Sequence, residues 1–318
     1  MKPEVLQLSP ILIPEIRDQL DELFTIRRYY EQADKAAYLA QHGANIRGVI
    51  TGGHTGISQA LMAQLPNLEV VAVNGVGTDA IDLAYARDRR IQVTATIGAL
   101  TEDVADLAIG LLIDLCRGIS TGDRYVRSGQ WAKSATPLVP LPLARQVSGM
   151  RIGIVGMGRV GRAVAARAAA FDCPISYTDL QPMSDVPHTF VADLPSLARD
   201  SDALILAAAA DKGEAIVNAE VLGALGRDSY LINIARGKLV DEMALVAALQ
   251  SGQIAGAGLD VFADEPQVPD ELFELEQVVL QPHRASATVQ TRTRMGEMVV
   301  ASLVDVFAGR KPNGSVTG

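Results

Sequence analysis

The chain has 318 residues, 48% apolar and only 4% aromatic, with a formal net charge of −9. That length predicts two domains, and the apolar fraction excludes a disordered chain. The lysines and arginines are scattered without a run, which argues against a nucleic-acid surface. The longest apolar stretch, Leu107 to Cys116, is about half the ~20 residues of a bilayer span and is interrupted by Asp114, so no membrane anchoring is expected.

In chain order, the first ninety-odd residues alternate short apolar runs with helical periodicity. Val5–Leu8, Phe24–Arg27, Gly48–Ile50, Val70–Val73 and Ile91–Thr94 read as strands, with helix-like segments at Ile13–Leu23, Lys35–Gln41, Ser58–Gln64 and Ile81–Asp88. Such alternation implies α/β architecture with a parallel sheet covered on both faces. A long helix is expected at Thr101–Gly118 and a more polar one at Thr121–Gln130. An extended connector follows over Lys133–Val147, which holds three prolines. From Arg151 the alternation resumes, with strands at Arg151–Val155, Ile175–Thr178, Ala203–Ala207, Tyr230–Ile234, Gly256–Val261 and Val278–Gln281. A final helix, Val289–Ala308, precedes a polar tail. Cys116 and Cys173 stand in unrelated contexts without metal spacing. Together with the lack of a secretory pattern in MKPEVLQLSP, they place the chain in the reducing cytoplasm.

Gly156-Met157-Gly158-Arg159-Val160-Gly161 forms a G-x-G-x-x-G run. Its context gives it meaning, because the apolar strand Arg151–Val155 precedes it and the Ala-rich helix Arg162–Phe171 follows. Gly156 permits a tight turn, Gly158 admits a pyrophosphate close to the backbone, and Gly161 lets helix and strand approach. The helix N-terminus then presents amides and a positive dipole end to phosphates. Asp179 closes the next strand, where a carboxylate accepts from both adenosine ribose hydroxyls and repels a 2′-phosphate. No Lys or Arg lies in Leu180–His188, so NAD is favoured, with NADP left open.

Reduction of a ketone by hydride needs a proton donor, and imidazole suits neutral pH. Of His42, His54, His188 and His283, the first reads as a helix C-terminal cap and His188 lies in a polar loop. His283 follows the apolar run Val278–Gln281 at the carboxyl edge of the sheet, where open parallel sheets bind ligands. Leu231–Gly237 delivers Arg236 to the same edge. Gly258–Pro266 delivers Asp260, Asp264 and Glu265. Charges at the ends of core strands need partners or ligands, since desolvating them singly is costly.

These pieces, with Gly75-Val76-Gly77-Thr78-Asp79, Thr101-Glu102-Asp103-Val104-Ala105-Asp106, Asn233–Gly237, Ala257–Phe262 and Pro282-His283, resemble the D-isomer-specific 2-hydroxyacid dehydrogenases. The resemblance is closest to their glyoxylate/hydroxypyruvate reductase branch, and it runs nearly end to end. It implies two doubly wound parallel-sheet domains. Residues 1–98 and 287–318 would form a flavodoxin-like substrate domain, and 99–286 an inserted Rossmann domain. It implies that Arg236 grips the substrate carboxylate, that His283 carries the proton and that Glu265 orients the imidazole. It also implies substrate contacts from Gly53, His54 and the amides of Val76 and Gly77. Cofactor contacts would come from the glycine loop, Asp179, Ile234, Ala235 and, at the nicotinamide carboxamide, Asp260. The stretch Thr101–Trp131 is similar to the arm through which these enzymes form homodimers.

The chain departs from the family at three places. Asp179-Leu180 stands where the plant reductases often carry Ser-Arg. Ala207–Lys212 lacks their Cys-Pro pair, and Arg284 follows the histidine where a small or apolar residue is usual, offering a second cation to a polar substrate tail. Two rival readings are an NAD-sensing, corepressor-like binding protein, which would be free to lose the Arg–Glu–His set, and a phosphite dehydrogenase, which can use the same residue types. Formate dehydrogenases generally pair the histidine with Gln, where this chain has Glu265.

Overall fold

The computed structural model of the chain describes residues 2–134, 141–209 and 215–317. Part of the expected connector Lys133–Val147, and Ala210–Lys212 of the loop lacking Cys-Pro, lie outside the described residues. The chain divides into two compact units, Met1–Leu100 with Ser286–Gly318, and Thr101–Ala285.

In the first unit, β1 (Glu4–Gln7), β2 (Thr25–Arg28), β3 (Ile46–Gly52), β4 (Val70–Asn74) and β5 (Gln92–Ala95) form a parallel sheet ordered β2-β1-β3-β4-β5. Successive side chains on a strand point to opposite faces, and the sequence fills both. Val5, Ile50, Val70 and Ala72 pack with Ile16 and Leu20 of the helix Pro14–Leu23 and with Val299, Val300 and Leu303 of the helix Val289–Phe307. Leu6, Val49, Val71 and Val73 pack on the other face with Leu39, Met62 and Ala86. The expected polar tail does more than trail away. Thr94 and Ser315 form an antiparallel bridge, the Val316 amide donates to the Val93 carbonyl (2.8 Å), and the Thr317 hydroxyl accepts from the Val93 amide (2.9 Å). An edge strand leaves such groups unpaired unless something covers them.

The second unit holds β6 (Ile152–Val155), β7 (Ile175–Thr178), β8 (Thr189–Phe190), β9 (Ala203–Leu206), β10 (Tyr230–Asn233), β11 (Gly256–Leu259) and β12 (Val278–Leu280). All pair in parallel, in the order β12-β11-β10-β9-β6-β7-β8. The order reverses between β6 and β9, which sets a switch-point crevice at their carboxyl ends. One face carries Leu204, Leu206, Leu231, Ala257 and Leu259 against Leu222, Leu245 and Leu249 of the covering helices. On the other face, the helix Thr101–Arg117 lies so close to β11 that a Cβ on Gly258 would stand 3.0 Å from the Cβ of Leu111. The next helix spans Ile119–Arg127 rather than Thr121–Gln130. Gly118 breaks the first helix at φ +60°, and the Asp114 carboxylate accepts the Ser120 amide (2.8 Å), so the new helix starts at once.

Candidate active site

Every charged residue of the expected catalytic set lies in the second unit. Gly156 turns the chain after β6 at φ +92°, where a Cβ would stand 2.6 Å from the Cα of Ala208. A Cβ on Gly161 would meet the Gly156 carbonyl oxygen at 2.0 Å. Neither position admits a side chain, and the helix Arg159–Ala169 is thereby seated directly behind the turn. At Gly158 the corresponding space contains no described protein atom within 4 Å. Arg159 opens the helix and is exposed, while Val160 is half-buried.

Asp179 reaches back over this loop. One carboxylate oxygen accepts the Met157 amide (2.8 Å) and the other the Leu180 amide (2.7 Å). Met157 buries its side chain completely, so only its backbone faces the loop. No Lys or Arg lies within Leu180–His188, but Arg162 reaches that segment from the helix. Its guanidinium pairs with both oxygens of Asp185 (2.9 and 3.0 Å), and its Nε donates to the Met157 carbonyl (3.2 Å). An i+1 position after the last glycine was the available signal. A sequence window confined to the loop does not see it.

Arg236 stands at the end of β10. Asn233, 1% exposed, accepts the Ala235 amide (3.1 Å) through its side-chain oxygen and donates through Nδ2 to the Arg236 carbonyl (2.9 Å). Gly237 follows where a Cβ would overlap the Phe262 carbonyl carbon at 1.8 Å, so the Arg236 turn is pressed onto the segment after β11. The Arg236 Nη1 donates to the Ala235 carbonyl (2.8 Å). Ile234 and Ala235 are buried at 6% and 7% exposure. Asn233 is a positioning residue that sequence reasoning quoted only as part of a motif. A buried amide at the end of an otherwise apolar strand was its signal.

Glu265 closes the next turn. One oxygen accepts the Phe262 amide (2.9 Å), and both oxygens face the His283 Nδ1 at 3.1 and 2.9 Å. The Glu242 carboxylate supports the same turn by accepting the Ala263 amide (2.8 Å). The Arg236 turn thus touches Phe262, Phe262 holds Glu265, and Glu265 holds His283. Asp264 is exposed and stands outside this chain of contacts. His283 has φ +45° and is partly buried, like Glu265. Asp260 is 1% exposed, and its two oxygens accept the amides of Arg284 (2.8 Å) and Ala285 (3.0 Å). Burial raises its carboxyl above the ordinary range, against those two amides and the nearby imidazole.

In the first unit, Gly53 and His54 follow β3, and Val76 and Gly77 follow β4. A Cβ on Gly53 would stand 3.1 Å from the Gly77 carbonyl oxygen, and one on Gly75 would stand 3.3 Å from the Gly53 nitrogen, so the two loops lie side by side. His54 and Val76 are exposed there. His42 caps nothing: its helix ends at Gly43 in right-handed geometry, and the imidazole packs on Tyr38 with ring centroids 4.7 Å apart. Among the described residues no helix is long and apolar enough to cross a membrane.

Residues 109–285 match the family model of the D-isomer specific 2-hydroxyacid dehydrogenase NAD-binding domain. The chain is 42% identical over 310 residues to the 2-ketogluconate reductase of Gluconobacter oxydans, covering 97% of each protein. Its structure is similar to that of a 2-hydroxyacid dehydrogenase from Ketogulonicigenium vulgare Y25 (TM-score 0.91, 44% identity, 99% and 98% of the two chains). It is also similar to the NADPH-dependent glyoxylate/hydroxypyruvate reductase of Sinorhizobium meliloti in complex with NADP and malonate (TM-score 0.90, 40% identity, 99% and 97%). The chain belongs to the D-isomer specific 2-hydroxyacid dehydrogenase family, and is an NAD(P)-dependent oxidoreductase that reduces small 2-keto acids.

Proposed function

We propose that the protein reduces glyoxylate, hydroxypyruvate and related polar 2-keto acids, including 2-ketogluconate, to their D-2-hydroxy acids, with NADH as the preferred donor. The observation that carries this reading is the pairing of His283 with Glu265 on a turn contacted by the turn of Arg236. Bound NADH supplies the hydride that reaches C2 of the keto acid. The Arg236 guanidinium grips the substrate carboxylate with its planar fork and fixes the position of C2. Glu265 accepts from Nδ1 and so orients the ring. His283 therefore carries its transferable proton on Nε2 and releases it to the carbonyl oxygen as negative charge develops there. In the reverse direction the neutral Nε2 takes the hydroxyl proton.

The preference for NADH follows from Asp179. Its negative charge is fixed over the glycine loop, where it suits ribose hydroxyls and opposes a 2′-phosphate, and the neighbouring Arg162 is already paired with Asp185. Gly156, Gly158, Arg159, Val160 and Gly161 hold the pyrophosphate, and Ile234, Ala235 and Asp260 line the nicotinamide end. Residues 99–286 serve as the cofactor domain, with 1–98 and 287–318 as the substrate domain. Gly53, His54, Val76 and Gly77 contact the acid. The protein works in the cytoplasm as a homodimer, associating through the arm that exposes Ile119, Val126 and Trp131.

Oxidation of NADH and of NADPH, followed with glyoxylate, hydroxypyruvate, 2-ketogluconate and 4-hydroxyphenylpyruvate, tests the proposal. Fastest turnover is expected with NADH and one of the first three acids. No turnover with any of the four would refute it.

A further inference from the structure

Arg162 stands in the first turn of the helix Arg159–Ala169, directly behind the glycine loop, and it shares a neighbour with the carboxylate that closes β7. The Met157 amide donates to one Asp179 oxygen (2.8 Å), and the Met157 carbonyl accepts from the Arg162 Nε (3.2 Å). A carboxylate and a guanidinium are thus held by the backbone of a single residue. The rest of the guanidinium is occupied. Nη1 and Nη2 meet the two oxygens of Asp185 side by side (2.9 and 3.0 Å), and Nη2 also donates to the Met183 sulfur (3.2 Å). Asp185 holds that place weakly. It lies in an exposed turn with 70% of its side chain open to water, and Arg162 keeps 40% open. Pairs so exposed are screened and contribute little. The segment also has an anchor of its own, because the hydroxyl of buried Tyr177 accepts the Met183 amide (2.8 Å). Two oxygens facing the fork of a guanidinium are what a phosphate offers too, with more charge.

We propose that Arg162 is a 2′-phosphate receptor kept occupied by Asp185, and that Asp185 is therefore a specificity-determining residue for the nicotinamide cofactor. This rests on the reading that places the adenosine ribose at Asp179, and it deepens that reading. Asp179 opposes a 2′-phosphate by its own charge, whereas Asp185 withholds the cation that would receive one. With a neutral amide at position 185, the guanidinium keeps the Met157 contact that aims it, and its two Nη groups turn to the ribose phosphate. A dinucleotide without that phosphate gains nothing from the change.

The test measures binding with no keto acid present. NADH and NADPH differ only by the 2′-phosphate, and the Kd of each is read from the fluorescence of the bound dihydronicotinamide. The proteins compared are the unaltered chain, D185N, R162Q and the double variant. D185N should tighten NADPH about 10-fold and leave NADH within about twofold. D185E, which restores the pair, should return the ratio of the two Kd values to that of the unaltered protein. In the R162Q background, D185N should tighten NADPH by less than about threefold, because the receptor is gone. An unmoved NADPH Kd in D185N, with a thermal midpoint within a few degrees of normal, overturns the proposal. A gain in the double variant as large as in D185N alone overturns it as well, since removal of a negative charge would then be the whole effect. The preference for NADH is read from the ratio in the unaltered protein and the role of Asp185 from the change in that ratio, so either can fail alone.

Discussion

The seven-stranded sheet is finished differently at its two edges. At the amino edge, polar groups close the structure. The Asp202 carboxylate accepts the Arg151 amide (2.8 Å) and its guanidinium (3.1 and 3.2 Å), and the Asp202 amide returns a bond to the Arg151 carbonyl. The Ser229 hydroxyl ties this turn to the start of β10, and Cys116 is buried beside Met150 with its thiol pushed up to about 11. At the carboxyl edge, Gly156 and His283 take left-handed conformations, a carboxylate is buried at Asp260, and a guanidinium stands at the end of a core strand. The same strands thus begin at a mutually satisfied, half-exposed ion pair and end at charges held by backbone amides and by one another. Left-handed residues occur at both edges, with Gly149 and Asp172 at the amino one, so what sets the carboxyl edge apart is its charge: a buried carboxylate, a guanidinium and a paired imidazole.

The contrast predicts that equivalent charge removals should separate function from stability. The largest effect belongs to His283. H283Q should lower kcat by about 10²- to 10⁴-fold, and E265Q by a smaller factor, because the imidazole loses the carboxylate that orients it. Neither should shift the midpoint of thermal unfolding by more than a few degrees. Were H283Q to retain near-normal turnover, the carboxyl edge would lose its special status.

A second prediction sharpens the contrast within the carboxyl edge. Asp179 is held against two backbone amides, far along the sheet from His283, and the proposed function gives it the ribose end. D179S combined with L180R should therefore shift the ratio of kcat/KM values toward NADPH by about 10- to 100-fold, an energy of roughly 1.4–2.8 kcal/mol. The pH profile should stay where it was. An unchanged cofactor ratio would refute the ribose role of Asp179.

How much of this was legible in the sequence follows the same division. Periodicity exposes long apolar elements, so every strand of three or more residues was visible, whereas the two-residue β8 offers no alternation to read. The helices Leu194–Arg199, Ala219–Leu225 and Glu242–Gln250 were not singled out individually, although Asp193, Asn218 and Asp241 cap each of them. Positions at the ends of core strands, together with the family resemblance, picked out Arg236, Glu265 and His283 as the candidate set. What they could not give was tertiary bracing. The grip of Asn233 on the Arg236 turn, the reach of Arg162 into the loop after β7, and the clasp of Asp260 on Arg284 and Ala285 each join positions whose contact depends on the backbone path. The polar tail misled for a similar reason: Ser315 to Thr317 carry no strand pattern, and only an open edge at β5 gives them a place.

The smallest effect lies at the amino edge and is a matter of stability alone. Burial works against the charge on Asp202, but the Arg151 side chain and amide outweigh it and hold the carboxyl below the ordinary range. A carboxyl lowered in the folded state contributes stability above its unfolded pKa of about 3.9, and that contribution disappears as pH falls through the lower folded value. D202N should accordingly reduce unfolding free energy by about 1–2 kcal/mol at neutral pH, a modest figure because Arg151 is half exposed and water screens the pair. The deficit should shrink on acidification below about pH 4, where the unaltered protein loses the same interaction. Urea unfolding at neutral and acidic pH measures it. Turnover should be untouched, and a D202N protein that unfolded normally but lost activity would show that the two edges are coupled.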